Sequence, residues 1–300
     1  MTHPEQPGIF RDGFRHFHVL EYRLRDGVTR GGLLTALRAA LTRDNDELAT
    51  VVAFGPGCLA HLDDDAPVFP PFHAIHGRDG FVMPATQHDV LFWLQGRDTD
   101  VLFDAVHRIN EAMTAIGEAM VDMSCFTYRD SRDLTGFIDG SANPKGSAMR
   151  NAALIPGGQP GEGGSFVLTQ RWNHDLAAFG ALPVREQEMI VGRTKADSVE
   201  LDREHMPHSS HVARTDVKLD GEAMKIWRRS MPFGTAREHG LLFLAFSCRL
   251  ARFDVQLRRM AGDWEDGIRD RLTDFSTPVT GSYWFAPPAG QLAGWLWSDN

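Results

Sequence analysis

Along the first 130 residues the apolar positions change period several times. "HFHVLEYRL" (16–24) alternates in places as a strand does, and "GGLLTALRAALTR" (31–43) repeats at the three-and-four spacing of a helix. "LATVVAFG" (48–55) is a β-branched apolar run, followed by a stretch rich in Pro, Gly and Asp from Pro56 to about His88. "DVLFWLQG" (89–96) reads as a strand. "TDVLFDAVHRINEAMTAIG" (99–117) reads as a helix with Thr99 as N-cap and Gly117 as its stop, and "AMVDMSCFTYRD" (119–130) as another strand. The order β-α-β-β-α-β is the split βαβ, or ferredoxin-like, pattern.

The second half repeats the rhythm less regularly. "GSFVLTQRWNHDL" (164–176) is strand-like and "LPVREQEMIVG" (182–192) helical, with Pro183 near its start. "HVARTDV" (211–217), "AMKIWRR" (223–229) and "GLLFLAFSC" (240–248) read as strands. A helix from about Arg249 to Met260 and a last strand, "GSYWFAP" (281–287), follow. Between the halves lies "NPKGSAMRNAALIPGGQPGEGG", whose glycines and prolines mark a linker. The expected class is α+β: two ferredoxin-like modules, 1–150 and 151–300, with antiparallel sheets flanked by helices. Pockets form at such seams.

Composition narrows the function. A formal net charge of −9 argues against a broad nucleic-acid surface, which needs clustered cations. No apolar run approaches the roughly 18 to 20 residues that span a bilayer, so no membrane partner is expected. The opening "MTHPEQPGIFRDGFRH" lacks the pattern of a secretory signal. Cys58, Cys125 and Cys248 lie far apart without a CxxC, so neither a disulfide framework nor a cysteine zinc site is indicated. A reducing cytoplasm fits best. No long extension follows the last strand, so a cargo tail is not expected, and "AGWLWSDN" matches no lipidation signal.

Candidate chemistry gathers in three places. "LTGFIDGSANPKG" (134–146) sets one carboxylate, Asp139, among glycines that permit positive φ or close approach. "EHMPHSSHVARTD" (204–216) holds His205, His208 and His211, but Pro207 and the serines break any helix that would put them on one face. Arg228 stands in "KIWRRSMPFG". Each alone has a plain reading: a turn acid, a satisfied core histidine, a core-edge arginine. "PGGQPGEGG" (156–164) lacks the GK[ST] of a phosphate cradle and reads as linker. Together, one imidazole able to bind iron, one acid and one fixed cation are the minimum set for splitting hydrogen peroxide on a heme.

At these residues the chain resembles the dye-decolourising peroxidases, in particular the bacterial B-type group. "GFIDGSANP" looks like that family's GxxDG signature. "SHVARTD" resembles the segment with its proximal histidine, "WRRSMPFG" that with its distal arginine, and "VTGSYWFAP" its closing strand; "GRTKADSVELD" (192–202) is also similar. The resemblance implies a heme b (iron protoporphyrin IX) peroxidase that reduces hydrogen peroxide and oxidises small-molecule reductants such as dyes and phenolics. It implies His211 as iron ligand, Asp139 and Arg228 on the distal face, and Ser230 as a third distal residue where some relatives have asparagine. Arg214 and Arg193 are named for the heme propionates. Asp270 and Asp274, four apart in what reads as a helix, are alternative partners for His211. Homo-oligomers are implied, and dye oxidation is expected to peak below neutrality. The rival readings are a heme-carrying or porphyrin-processing protein with incidental peroxidase activity, and a hydrolytic metal site on His205, His208, His211 and Asp139.

Overall fold

The computed structural model describes residues 5 to 297, so the extreme ends of the chain, residues 1–4 and 298–300, and the expectations placed on them lie outside the described residues. The first half runs β1 (His16–Leu24), α1 (Arg30–Ala40), β2 (Leu48–Phe54), α2 (Pro56–Leu62), a small hairpin β3 (Ile75–His76) and β4 (Val82–Met83), β5 (Val90–Gly96), α3 (Thr99–Thr114) and β6 (Gly117–Phe126). Thr29 caps α1 by accepting from the Gly32 amide. α3 starts after Asp98 rather than being capped by Thr99, and it stops at Thr114, so Gly117 opens β6 instead of ending the helix. An added Cβ on Gly117 would meet the Arg23 carbonyl at 2.6 Å, which is why a glycine begins this strand.

The second half runs α4 (Ser147–Ala153), β7 (Ser165–His174), α5 (Leu176–Ala181), α6 (Val184–Val191), α7 (His211–Thr215), a hairpin β8 (Lys218–Leu219) and β9 (Glu222–Ala223), then β10 (Trp227–Arg228), β11 (Met231–Gly234), β12 (His239–Ser247), α8 (Ala251–Ala261), β13 (Ser276–Pro278), β14 (Ser282–Ala286) and α9 (Ala289–Trp297). The linker expected from composition therefore contains a helix, α4. Residues 211–217 begin as a helix, not a strand: Ser210 accepts from the Ala213 amide, and Thr215 Oγ1 donates to the His211 carbonyl. The expected strand 223–229 is broken because Gln256 and Arg252 donate to the Met224 and Lys225 carbonyls, replacing strand partners.

Strand order is β10-β12-β7-β14-β2-β5-β1-β6 in one ten-stranded sheet, with β11 beside β12 and β13 beside β7. Within β2-β5-β1-β6 and β10-β12-β7-β14 the same ferredoxin-like order recurs, and the pairings are antiparallel. The two expected sheets are fused, joined where Phe285 of β14 pairs with Phe54 of β2. The sheet curls far enough to bring β11 against β6.

Period-2 alternation divides the core. Val90, Phe92 and Leu94 of β5 face the helices with Leu33, Leu37 and Ile109. Leu91 and Trp93 face the inside of the curl with Val51, Phe246 and Trp284.

Candidate active site

A cavity opens in the second half between the sheet and the layer of α7 and α8. From the sheet side it is lined by Leu168, Gln170, Trp172, Leu241, Phe243 and Arg228, and from the helix side by His211, Val212, Phe253, Leu257 and Met260. The loop carrying Asp139 and Asn143 lines it as well. Most of this wall is apolar, as expected of a site for a largely hydrophobic ligand.

His211 is the first residue of α7, and its placement follows from the Ser210 cap. Its Nδ1 lies 2.7 Å from Asp270 Oδ2, and the Asp270 side chain is fully buried. Asp270 is itself fixed: it caps a 3₁₀ turn, Arg271–Asp274, by accepting from the Leu272 amide at 2.9 Å. The expected helix carrying both acids is thus a short turn, and Asp274 points away to Arg269 Nη2 at 2.5 Å. An imidazole with one nitrogen held by a buried carboxylate and the other lacking a hydrogen bond among the described residues is set up as a metal ligand. With an apolar cavity around it, this donor set fits a heme.

Asp139 is held by its loop. Its amide donates to the Ser131 carbonyl at 3.0 Å, and its Oδ1 accepts from the Gly140 amide at 2.7 Å. Gly140 has φ 75° and Gly136 φ 91°, values that explain glycine at these two positions. Arg228 Nη2 stands 4.0 Å from Asp139 Oδ1, and its guanidinium makes no closer polar contact among the described residues. A partly buried guanidinium in a cavity wall, held only by a long ion pair and without a side-chain hydrogen bond among the described residues, is poised for an incoming oxygen ligand. Asn143 joins the two elements: its Nδ2 donates to the Arg228 carbonyl at 2.9 Å and its Oδ1 accepts from the Arg228 amide at 3.1 Å.

The remaining expected residues are placed differently. Ser230 Oγ is buried without a hydrogen-bond partner among the described residues, and Ser230 is not among the residues lining the cavity. Arg193 does line it, with its guanidinium bonded to the Ser198 carbonyl and to Glu200 at 2.8 Å each. Arg214 does not. It is 1% exposed, forked onto Asp266 at 2.7 and 2.9 Å, and donates to the Arg259 carbonyl. That guanidinium is committed to the scaffold behind α7. Its hydrogen bonds hold the Asp266 carboxyl below the usual range. His205 and His208 are exposed, and no cluster of three or more metal-ligating side chains occurs among the described residues, which removes the hydrolytic rival's ligand set.

One further group on the wall was not foreseen. Asp133, Thr135, His174 and Ser276 all line the cavity. His174 bridges Asp133 Oδ1 at 3.0 Å and Ser276 Oγ at 2.8 Å. Burial alone would raise the Asp133 carboxyl, but hydrogen bonds from His174 and Thr135 outweigh it and hold the carboxyl below its ordinary value. The signal was faint, because Asp133 and His174 are 41 residues apart.

Comparison with known proteins agrees with this geometry. Residues 7–124 match the family "Dyp-type peroxidase, N-terminal" and residues 130–291 "Dyp-type peroxidase, C-terminal". A dye-decolorizing peroxidase of Mycolicibacterium paratuberculosis is 37% identical over 220 residues, 72% of this chain, and the match spans 62% of that relative's length. The fold is similar to a crystal structure of a dyp-type peroxidase protein from Shewanella oneidensis, with TM-score 0.90, 30% identity and 99% of each chain covered. It is also similar to a DypB variant from Rhodococcus jostii RHA1 in complex with heme, with TM-score 0.88, 29% identity, and 97% of this chain and 99% of that one covered. By its two family matches, its fold and the arrangement of its cavity, the chain belongs to the Dyp-type peroxidase family.

Proposed function

We propose that this chain is a heme b peroxidase that reduces hydrogen peroxide and oxidises organic molecules such as dyes and phenolics in one-electron steps. The observation that carries this reading is the pairing, in one apolar cavity, of His211 tied through Nδ1 to buried Asp270 with the Arg228 guanidinium, which reaches only Asp139, at 4.0 Å, among the described residues. His211 would hold the iron through Nε2, while Asp270 orients the ring and raises its basicity. Bound heme would supply the redox chemistry that couples two-electron reduction of peroxide to one-electron oxidation of organic donors. Asp139 takes a proton from hydrogen peroxide and returns it to the departing oxygen, which leaves as water. Arg228 offsets negative charge on that oxygen and is the heavier contributor of the two. Arg193 is the basic residue for a heme propionate, and Ser230, buried off the cavity wall, is left without a distal role. Arg214 acts behind α7 as a support.

The working units are residues 1–150 and 151–300, with the heme lodged in the second. Three buried free thiols suit a cytoplasmic protein, and no helix among the described residues is long and apolar enough to cross a membrane. Peroxide and small-molecule reductants are its partners, and a homo-oligomer its assembly.

The test is an absorption spectrum of the purified chain reconstituted with hemin, before and after a single equivalent of hydrogen peroxide, beside His211→Ala. A Soret band that responds to peroxide, and is weakened or altered in the variant, supports the reading. Heme bound without a peroxide response would favour a carrier or porphyrin-processing role. Absence of a Soret band would overturn the assignment.

A further inference from the structure

Gln170 sits in the middle of β7 on the cavity face, between Leu168 and Trp172 in the same period-2 row. It is 0% exposed. Among the described residues its Oε1 has no hydrogen-bond partner, and its Nε2 reaches only the sulfur of Met83, at 3.9 Å. Thioether sulfur is a weak acceptor, so this amide is close to wholly unsatisfied. Buried polar groups are otherwise paired, and an orphan on a ligand cavity needs an explanation. Its neighbours Leu168, Trp172, Leu241 and Phe243 show that this stretch of wall would accept a leucine.

We propose that Gln170 is a specificity-determining contact for an oxygen-bearing substituent, a carboxyl group, on the rim of the macrocycle held in this cavity. The inference rests on the heme reading above and adds a residue to it. Three points support the choice of group. An amide offers both a donor and an acceptor, and a half-turn about its last bond exchanges them, so it matches a carboxyl in either protonation state. Two places along, on the same face of the strand, His174 with Asp133 and Ser276 continues the polar edge. Arg214, expected to hold such a carboxylate, is fully engaged by Asp266, so beside Arg193 one of the macrocycle's two carboxyl groups has no assigned residue.

The experiment titrates the full-length apoprotein with metal-free protoporphyrin IX and with its dimethyl ester, in which both carboxyl groups are blocked, following tryptophan quenching. Wild type should prefer the diacid. Gln170→Leu should weaken the diacid about tenfold and leave the ester unchanged, so the preference narrows by the same factor. Thermal melting of apo Gln170→Leu should show equal or greater stability, because the substitution removes a buried unsatisfied group. An unchanged diacid-to-ester ratio would overturn the inference. So would a parallel loss of both ligands with a lower apo melting temperature, since that is the signature of a structural role. If neither macrocycle binds wild type while hemin does, this inference is overturned and the heme reading stands; if hemin also fails to bind, both fall.

Discussion

The two halves share a strand order and differ in what lies over it. In the first, α1 and α3 close on β5 and β1, and Leu33, Leu37, Leu102 and Ile109 fill the space against Tyr22, Phe92 and Leu94. In the second, the place of α1 is taken by α5, α6 and α7 with long connections, and α8 covers the sheet with Phe253 and Leu257. The gap becomes a cavity lined by Phe253, Leu257, Phe243 and Trp172, with His211, Asp139 and Arg228 facing into it. One topology thus serves two ends. A module that fills its helix–sheet gap with aliphatic side chains stabilises the chain, and a module that leaves the gap open can take a ligand. The polar residues of the cavity tolerate burial because most of them are tied to one another or to the backbone.

This contrast can be broken most sharply by truncating equivalent aromatics. Phe92→Ala in the filled half should cost about 3–5 kcal/mol in urea unfolding, whereas Phe243→Ala, whose ring already borders a cavity, should cost less than about 2 kcal/mol. Equal costs would mean that the second gap is as tightly filled as the first. In the open half, Arg228→Leu should lower peroxide reduction about 10²-fold or more, by comparison with oxyanion donors, and Asp139→Asn should lower it less. Single-turnover mixing with peroxide measures both, and a larger loss in Asp139→Asn reverses the assigned ranking.

Asn143 sharpens the link between the halves. Removing its two hydrogen bonds to the Arg228 backbone in Asn143→Ala should cost about 1–2 kcal/mol and slow the peroxide step with little change in hemin affinity. An unchanged peroxide step would show that Arg228 is positioned without the loop. The smallest effect concerns acid. The Asp133 carboxyl is depressed below 3.8, so its contribution to stability is complete above that pH and is lost as pH falls through the lower folded value. Asp133→Asn should flatten the acid limb of the stability profile by about 1 kcal/mol or less. An acid limb identical to wild type would show that the His174 pairing adds no net stability.

Much of the first half was legible because its elements are strongly periodic, and local spacing decides them: His16–Leu24, Leu48–Phe54 and Val90–Gly96 fall within a residue of where alternation and apolar runs place them. Errors cluster where a contact from afar overrides local preference. Met224 and Lys225 look like strand but give their carbonyls to Gln256 and Arg252, more than 25 residues on. "HVARTDV" alternates like a strand, yet the Ser210 cap turns it into α7.

In the site, the motifs alone singled out Asp139, His211 and Arg228, since turn glycines and ordered short segments are local signals. They left open whether Asp270 or Asp274 meets His211, and they could not show that Arg214 is occupied by Asp266. They were silent on Gln170 and on the Asp133–His174–Ser276 chain. The physical reason is common to these cases. Residue type and spacing determine what a side chain can do and which element it rides on, because those depend on the nearest few neighbours along the chain. Which acid meets which base, and which polar atom is left without a partner, depends on strands and turns tens of residues apart arriving together, and only the tertiary structure decides that.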